Sequence, residues 1–260
     1  MNITELFDLR GKTALVTGAS SGLGERFSQV LVQAGARVIL AARRLDKLKV
    51  MSDSLNEKGF SALPLEMDVS NKDSVRKAFE QLREKEERID ICVNNAGIGK
   101  STPIFDKTDS DKFEANMQTN VLGIWYVTKE VANHMKDHGI EGSIINIASI
   151  NGADVPAFGA AGYCASKAAV LQLTKALVGE LAKYKIRINS ISPGIFQTQM
   201  TAESIKANQG HILQKTPLNF IADPKDLDGI LLYLASNKAS RYVTGSCNTV
   251  DGGVSWGGWT

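Results

Sequence analysis

Seven short runs rich in β-branched and apolar residues alternate with longer segments of helical period, and this alternation constrains the fold more than any other feature of the chain. Ala14–Thr17, Arg37–Ala42, Ala62–Asp68, Ile89–Asn94, Ser143–Ser149, Arg187–Ser192 and Tyr242–Val250 read as strands. Between them, Leu23–Ala34, Leu45–Lys58, Lys72–Glu87, Asp111–Asp137, Tyr163–Tyr184 and Pro224–Ala235 read as helices from apolar spacing and flanking Gly, Pro or Asp. Ile89-Asp-Ile-Cys-Val93 and Ile144-Ile-Asn-Ile147 are nearly continuous apolar runs, which suits strands covered by helices on both faces. The expectation is a doubly wound α/β layer with a seven-stranded, mainly parallel sheet. The charge run Arg83–Arg88 reads as a solvated helix end.

A chain of 260 residues is long for one domain and short for two, against a soft prior of ~150 residues each. Because the βα alternation runs from end to end, residues 1–260 are expected to form a single domain. Lys and Arg number 30 and Asp and Glu 28, a net +2, so nothing calls for nucleic acid or an anionic membrane as partner. Cys92, Cys164 and Cys247 are sparse and lack the spacing of a zinc site or disulfide framework, which suggests thiols in a reducing compartment. The N-terminus carries Glu5 and Asp8 without a basic stretch and apolar run, so no secretory signal is read. The richest apolar stretch, Val30 to Ala42, is broken by Gln33 and Arg37, short of the ~18 residues a membrane span needs. A cytoplasmic protein is expected.

The first strand runs into Gly18-Ala-Ser20-Ser21-Gly22-Leu23-Gly24, which opens an amphipathic helix. Glycines let a backbone turn sharply and approach a pyrophosphate, whose charge meets the free N–H groups and positive dipole end of the helix. A dinucleotide's adenosine ribose would lie at the end of the second strand, where an acid selects a free 2′-hydroxyl. Ala41-Ala42-Arg43-Arg44 has no acid there, and Arg43, 19 residues past Gly24, offers a fork of donors for a phosphate. NADP(H) is therefore the favoured coenzyme and NAD(H) the alternative; Asp46, beyond the strand end, reads as the start of the next helix.

Tyr163 and Lys167 lie four residues apart at the start of a helix, hence on one face. A carbonyl receiving hydride needs a proton, and a phenol with pKa ~10 is about three units from neutrality, a mismatch of roughly 4 kcal/mol. A cation beside the phenol favours the phenolate and narrows that gap.

Together with the Thr17-Gly18-x-x-x-Gly22-x-Gly24 loop, Asn94-Asn95-Ala96-Gly97 after the fourth strand and Ser149 after the fifth, this pair makes the chain resemble the short-chain dehydrogenase/reductase family, classical type. The resemblance covers essentially the whole chain and implies a Rossmann fold. It implies that Tyr163 is the general acid/base, that Lys167 lowers its pKa and holds the nicotinamide ribose, and that Ser149 orients the substrate carbonyl. Asn120, in Gln118-Thr-Asn120-Val-Leu-Gly123, matches the asparagine that anchors a water relay to the lysine. Asn95, Ala96 and Gly97 fall to the cofactor site, as do Asp68 and Val69, which match the pair at the adenine. The loop Pro193-Gly194-Ile195-Phe-Gln-Thr198 matches the one that closes over the nicotinamide amide. Plain structural readings stand beside these: Asp68 or Thr198 as helix caps, Ser149 as a strand end, Asn120 as a buried helix polar group. The spacing from Ser149 to Tyr163 is 14 residues, one more than usual in the family, and reads as a loop insertion near Asp154 to Gly162.

The segment Gly194–Asp223 is long for a connection and reads as a substrate lid. Ile195, Phe196, Met200, Ile205, Ile212, Leu213 and Phe220, with Phe158, either line an apolar substrate pocket or pack the lid on the sheet. His211 reads as a solvent-facing or packing residue. The helices Asp111–Asp137 and Tyr163–Tyr184 are surfaces on which family members form dimers and tetramers. Val121, Leu122, Trp125, Val127, Thr128, Leu171, Leu173 and Leu177, with the tryptophans of Val254–Trp259, point to a homotetramer. The expected function is NADP(H)-dependent interconversion of a carbonyl (ketone, oxoacyl or aldehyde) and an alcohol, acting on a small molecule and needing no metal. The alternatives are a catalytically silent nucleotide-binding or scaffold protein of the same fold, and an NAD-dependent alcohol dehydrogenase.

Overall fold

The computed structural model describes residues 3–105 and 111–257. Seven strands form one sheet in the order β3-β2-β1-β4-β5-β6-β7, and every neighbouring pair is parallel. The strands are β1 (Thr13–Thr17), β2 (Arg37–Ala42), β3 (Ala62–Glu66), β4 (Ile91–Asn94), β5 (Ser143–Ile147), β6 (Arg187–Pro193) and β7 (Cys247–Val250). β1, β4, β5 and β6 are buried along their whole length, as their unbroken apolar sequences require.

Alternate residues of each strand feed opposite layers. On one face Ala14, Val16, Val38 and Leu40 pack under α1 (Gly22–Gln33), α2 (Leu45–Glu57) and a later helix, α9 (Asp228–Ala235). On the other, Leu15, Ile39, Cys92 and Ile144 pack under α3 (Lys72–Glu84) and the long helix before β5. Phe27, Leu31, Phe79 and Met135 are fully buried, and each such side chain contributes about 1.5–3 kcal/mol of burial. α3 begins where Asn71 Oδ1 accepts hydrogen bonds from the amides of Asp73 and Ser74, at 2.9 and 3.0 Å.

The run after α3 is a correction to the sequence reading. Glu84, Lys85 and Glu86 are exposed, but the backbone turns left-handed at Glu86 (φ 52°) and returns Glu87 inward. Glu87 is buried and pairs with Arg37 at 2.7 Å, because the turn lands it beside the first residue of β2. At this same end Asp90 accepts from Thr13 N at 3.1 Å and Lys12 Nζ at 3.0 Å, clamping β1 to β4. Burial pushes the Asp90 carboxyl up, but hydrogen bonds from Arg88, Lys12 and Thr13 outweigh it and hold the group below the usual carboxylate range.

The helix expected over Asp111–Asp137 is α4 (Asp111–Met117) and α5 (Gly123–Asp137), joined by a π-helical turn at Gln118–Leu122. The helix expected over Tyr163–Tyr184 starts earlier, at Ala161, and divides into α6 (Ala161–Ala176) and α7 (Val178–Ala182). The lid carries its own helix, α8 (Ala202–Lys215), interrupted at Asn208. α10 (Asn237–Ser240) precedes β7 and α11 (Val254–Gly257) follows it. Trp259 lies outside the described residues; Trp256 is 81% exposed. The three cysteines are free. Among the described residues no helix is long and apolar enough to cross a membrane, and no group of three His, Cys, Asp or Glu is placed to hold a metal ion.

Candidate functional site

β1 and β4 are neighbours in the sheet although β2 and β3 lie between them in sequence. The chain winds outward in opposite directions from this pair, and the two loops leaving its carboxyl ends diverge and open a crevice. A cavity of about 610 Å³ occupies it. Gly18, Ser20, Ser21, Gly22 and Leu23 line it from the loop after β1, and Asn95, Ala96 and Gly97 from the loop after β4. Arg43, Asp68 and Val69 line it from the β2 and β3 ends, and Ser149, Tyr163, Lys167, Pro193, Gly194 and Thr198 from β5, α6 and β6.

At the glycine-loop end, Thr17 Oγ1 accepts from the amides of Asn95 and Ala96, both at 3.0 Å, while Asn95 Nδ2 donates to Thr17 O at 2.9 Å. These bonds tie the two loops together across the switch point. Gly24 does not line the cavity; a Cβ there would lie 2.5 Å from Asn95 Nδ2 and closer still to Gly18 O. Its lack of a side chain lets α1 start directly against the loop. Arg44 Nη2 donates to Ser20 Oγ at 2.8 Å and Ser21 Oγ at 3.1 Å, whereas Arg43 is exposed on the cavity wall. Arg44 is a site residue that the sequence reading passed over, though it sits in the same Arg pair. Asp46 lies in the first turn of α2, as expected. Asp68 accepts from the backbone and hydroxyl of Ser70 at 3.0 and 2.7 Å, so it shapes the turn before α3 while Asn71 caps the helix.

At the other end, Tyr163 lies in the first turn of α6 and Lys167 one turn on, its Nζ 5.7 Å from the Tyr163 ring centre. Lys167 Nζ donates to Ile147 O at 2.8 Å, and burial drives the ammonium down to about 8. Burial pushes the Tyr163 phenol up from its ordinary value, a shift partly offset by a hydrogen bond with Ser149. Burial thus governs both groups, and Tyr163 is a neutral phenol at neutral pH. Ser149 sits at the end of β5 as the cap of a short 3₁₀ turn, Ile150–Gly152. Gly152 permits that turn to touch α6: a Cβ would lie 2.5 Å from Ala168 N, and nearer still to the Lys167 carbonyl carbon.

Asn120 is fully buried in the π turn and does not line the cavity. Its Oδ1 accepts from Ile98 N at 2.9 Å, and its Nδ2 donates to Ile98 O and Ser166 Oγ, each at 2.9 Å. It braces the turn after Gly97 against α6. Gly97 separates Asn120 from Lys167, since a Cβ there would lie 3.2 Å from Asn120 Oδ1 and 3.5 Å from Lys167 Nζ.

The lid residues divide. Phe196 and Met200 line the cavity, while Ile205 and Ile212 are buried. Ile195 is half-exposed and absent from the cavity wall, because the backbone of Gly194–Phe196 turns the neighbouring Phe196 inward instead. Phe158, at 108% exposure, and Phe220, half-exposed, stand outside the cavity too. His211 is exposed on α8. Thr198 is no helix cap; Thr201 precedes α8, and the two hydroxyls lie 3.0 Å apart. Ile98, Lys100, Gln199 and Thr201 complete the wall near Tyr163 without a sequence motif to announce them.

The family model for short chain dehydrogenases matches residues 12–209, a span from β1 into α8 that takes in every residue lining the cavity. An oxidoreductase UcpA of Salmonella typhimurium is 37% identical over 254 residues, covering 94% of this chain and 95% of its own. A short-chain type dehydrogenase/reductase from Mycobacterium marinum, known from its crystal structure, is 40% identical, with a TM-score of 0.91 over 97% of this chain and 99% of that one. A gluconate 5-dehydrogenase from Burkholderia cenocepacia, solved in complex with NADP and tartrate, superposes with a TM-score of 0.92 at 33% identity, over 97% of this chain and 98% of that one. Matched by this family model over most of its length and by relatives of 37% and 40% identity over nearly all of it, the chain belongs to the short-chain dehydrogenase/reductase family of oxidoreductases.

Proposed function

We propose that the protein is an NADP(H)-dependent oxidoreductase that interconverts a ketone, oxoacyl compound or aldehyde and the corresponding alcohol, with NAD(H) as the weaker coenzyme. One observation carries this reading: a single cavity joins the glycine loop at one end to Tyr163, Ser149 and Lys167 at the other. The residues fit the coenzyme. The glycine loop offers backbone amides and a helix start to a pyrophosphate, and Arg43 puts a cation where a 2′-phosphate would lie. The NADP bound to the Burkholderia relative supports the same choice.

When bound in the cavity, a nicotinamide would supply the hydride for the carbonyl carbon. Tyr163 gives its phenolic proton to the carbonyl oxygen, and its burial keeps that proton in place at neutral pH. Ser149 donates a hydrogen bond to the same oxygen and orients it. Lys167, one turn from Tyr163, stabilises the phenolate left behind and holds the ribose. Asn120, across Gly97 from Lys167, anchors the water relay that returns the proton. Thr198, Pro193 and Gly194 would hold the nicotinamide amide, and Asp68 and Val69 the adenine.

NADPH consumption over a carbonyl panel that includes 5-ketogluconate, β-keto thioesters, steroids and simple aldehydes tests the reading. Tyr163→Phe is expected to bind NADPH as the wild type does and to lose at least about a thousandfold in turnover, consistent with loss of a general acid. Unchanged turnover in that variant overturns the mechanism, and silence of the wild type on every substrate favours the nucleotide-binding scaffold.

We further propose a homotetramer, resting on Leu122 and Trp125, which stay 39% exposed on the helix before β5 while Val127 and Thr128 turn into the core. Light scattering should return about four times the 28.1 kDa chain mass. A monomer mass refutes it. The three free cysteines support a reducing compartment such as the cytoplasm.

A further inference from the structure

Ser149 has one hydroxyl proton, and in this fold the Asn151 side chain holds it. Its Oγ accepts from the backbone amide of Asn151 at 3.2 Å and donates to Asn151 Oδ1 at 3.3 Å. Ser149 also lines the cavity together with Tyr163. Asn151 is not free to turn away, because its Nδ2 donates to Val155 O at 2.7 Å. That bond spans the loop between Ser149 and Tyr163, the one whose spacing is longer by a residue than the family pattern. The amide group of Asn151 therefore has a fixed orientation, with its nitrogen on the loop and its oxygen on Ser149.

A hydroxyl donates one hydrogen bond and accepts up to two. With its proton on Asn151 Oδ1, Ser149 has one lone pair on the Asn151 amide and one left for the cavity, where a neutral Tyr163 O–H finds an acceptor. A substrate carbonyl or a Tyr163 phenolate asks for the opposite, a proton from Ser149. We propose that Asn151 is a positioning residue that holds the Ser149 proton in the resting site, so that Ser149 faces Tyr163 as an acceptor until a reacting oxygen takes the proton over. Asn151 does not line the cavity and touches neither end of the reaction directly. Its effect is to set which way the hydroxyl of Ser149 points.

The proposal rests on the assignment of Tyr163 and Ser149 made above, and it is tested without any substrate. Tyr163 ionisation is read from the tyrosinate ultraviolet band of the protein, as the difference from Tyr163→Phe. The charged or titratable groups that face Tyr163 are Lys167 and Cys164 from its own helix and Lys100 from the loop after β4; the lid contributes the uncharged Thr198, Gln199 and Met200. These stay constant across the variants. Asn151→Ala frees the Ser149 proton for the phenolate and is expected to move the titration down by about half to one pH unit. Asn151→Asp keeps an acceptor on Ser149, adds a charge and loses the donor to Val155, and is expected to move it up by at least about half a unit.

A downward move in Asn151→Ala supports the proposal, and an unmoved or upward titration in that variant overturns it; Asn151→Asp serves as the control, since its added charge raises the phenol by itself. If Asn151→Ala does not fold, Asn151→Leu, which also lacks the acceptor, decides in the same way. Loss of turnover in Tyr163→Phe together with unmoved Asn151 titrations would leave the proposed function standing and remove this inference. A panel without any turnover would remove the proposed function and leave the titration readable.

Discussion

Arg43 and Arg44 are sequence neighbours with different work. Arg44 spends its guanidinium on Ser20 and Ser21, stiffening the glycine loop, and Arg43 stands exposed at the wall. A charge-assisted contact of this kind is worth about 1.5–3 kcal/mol, or roughly tenfold to a hundredfold in affinity. Arg43→Ala is therefore expected to weaken NADPH by about tenfold while leaving NADH unchanged. Arg44→Ala should weaken both, because the loop it steadies carries the pyrophosphate for either coenzyme. Fluorescence titrations with the two coenzymes separate these outcomes, and an unaltered NADPH preference in both variants would show that neither arginine reads the 2′-phosphate. At this scale the sequence was a good guide to residue type and a poorer one to neighbours. Tyr163, Lys167 and the glycines carry their chemistry in their spacing, so they were legible. Arg44, Asn151 and the inward turn of Phe196 depend on which loop lies across from them, and no local pattern encodes that.

Helices and strands were legible for the same reason that they are stable: burial on both faces writes continuous apolar runs into β1, β4, β5 and β6. The π turn at Gln118–Leu122 was not, because an extra residue in a helix leaves its apolar pattern almost intact while displacing the register that aims Asn120 at α6. A short helix after Thr198 was legible, but neither the length of α8 nor its buried face was. Its inward side chains, Ile205 and Ile212, are two turns apart amid polar residues, and the interruption at Asn208 breaks the period between them. Two glycines show how tightly elements meet at the ends of the cavity. Gly24→Ala would push α1 off the loop and should lower coenzyme affinity at least about tenfold, with a stability loss of roughly 1–3 kcal/mol. Gly152→Ala strikes the backbone of α6 and should cost a similar amount of stability, measured by denaturant unfolding, yet lower kcat about tenfold or more with coenzyme binding close to normal. Equal effects of both substitutions on coenzyme binding would contradict this division of the crevice into two ends.

For the molecule as a whole, the buried ammonium of Lys167 gives folding stability a pH dependence. Burial lowers this group from 10.5 to about 8 in the folded chain. Below about pH 8 both states carry the proton, and the folded state bears the full penalty of a buried ammonium. Between about 8 and 10.5 the unfolded chain holds more protons than the folded one, so the Lys167 contribution rises with pH across that window, to roughly 3 kcal/mol in all. Lys167→Met should be the more stable protein near neutrality, and the gap should close as pH climbs past 8. Denaturant unfolding at several pH values checks this, and a gap that stays constant would show that Lys167 is not carrying a buried charge.

The parallel pairing of β1 with β4 also has a consequence in time. Asn95 lies 71 residues beyond Gly24, so a ribosome adding ~5–20 residues per second releases the glycine loop roughly 4–14 s before the residue that clasps it. Until β4 arrives, β1 has a neighbour on one side only, and the loop has backbone donors but no opposite wall. Coenzyme capture in the newborn chain must therefore follow the long-range closure rather than lead it. Until then β1, buried along its whole length in the finished sheet, has no partner on its β4 side, the edge on which it is open to pairing with other chains.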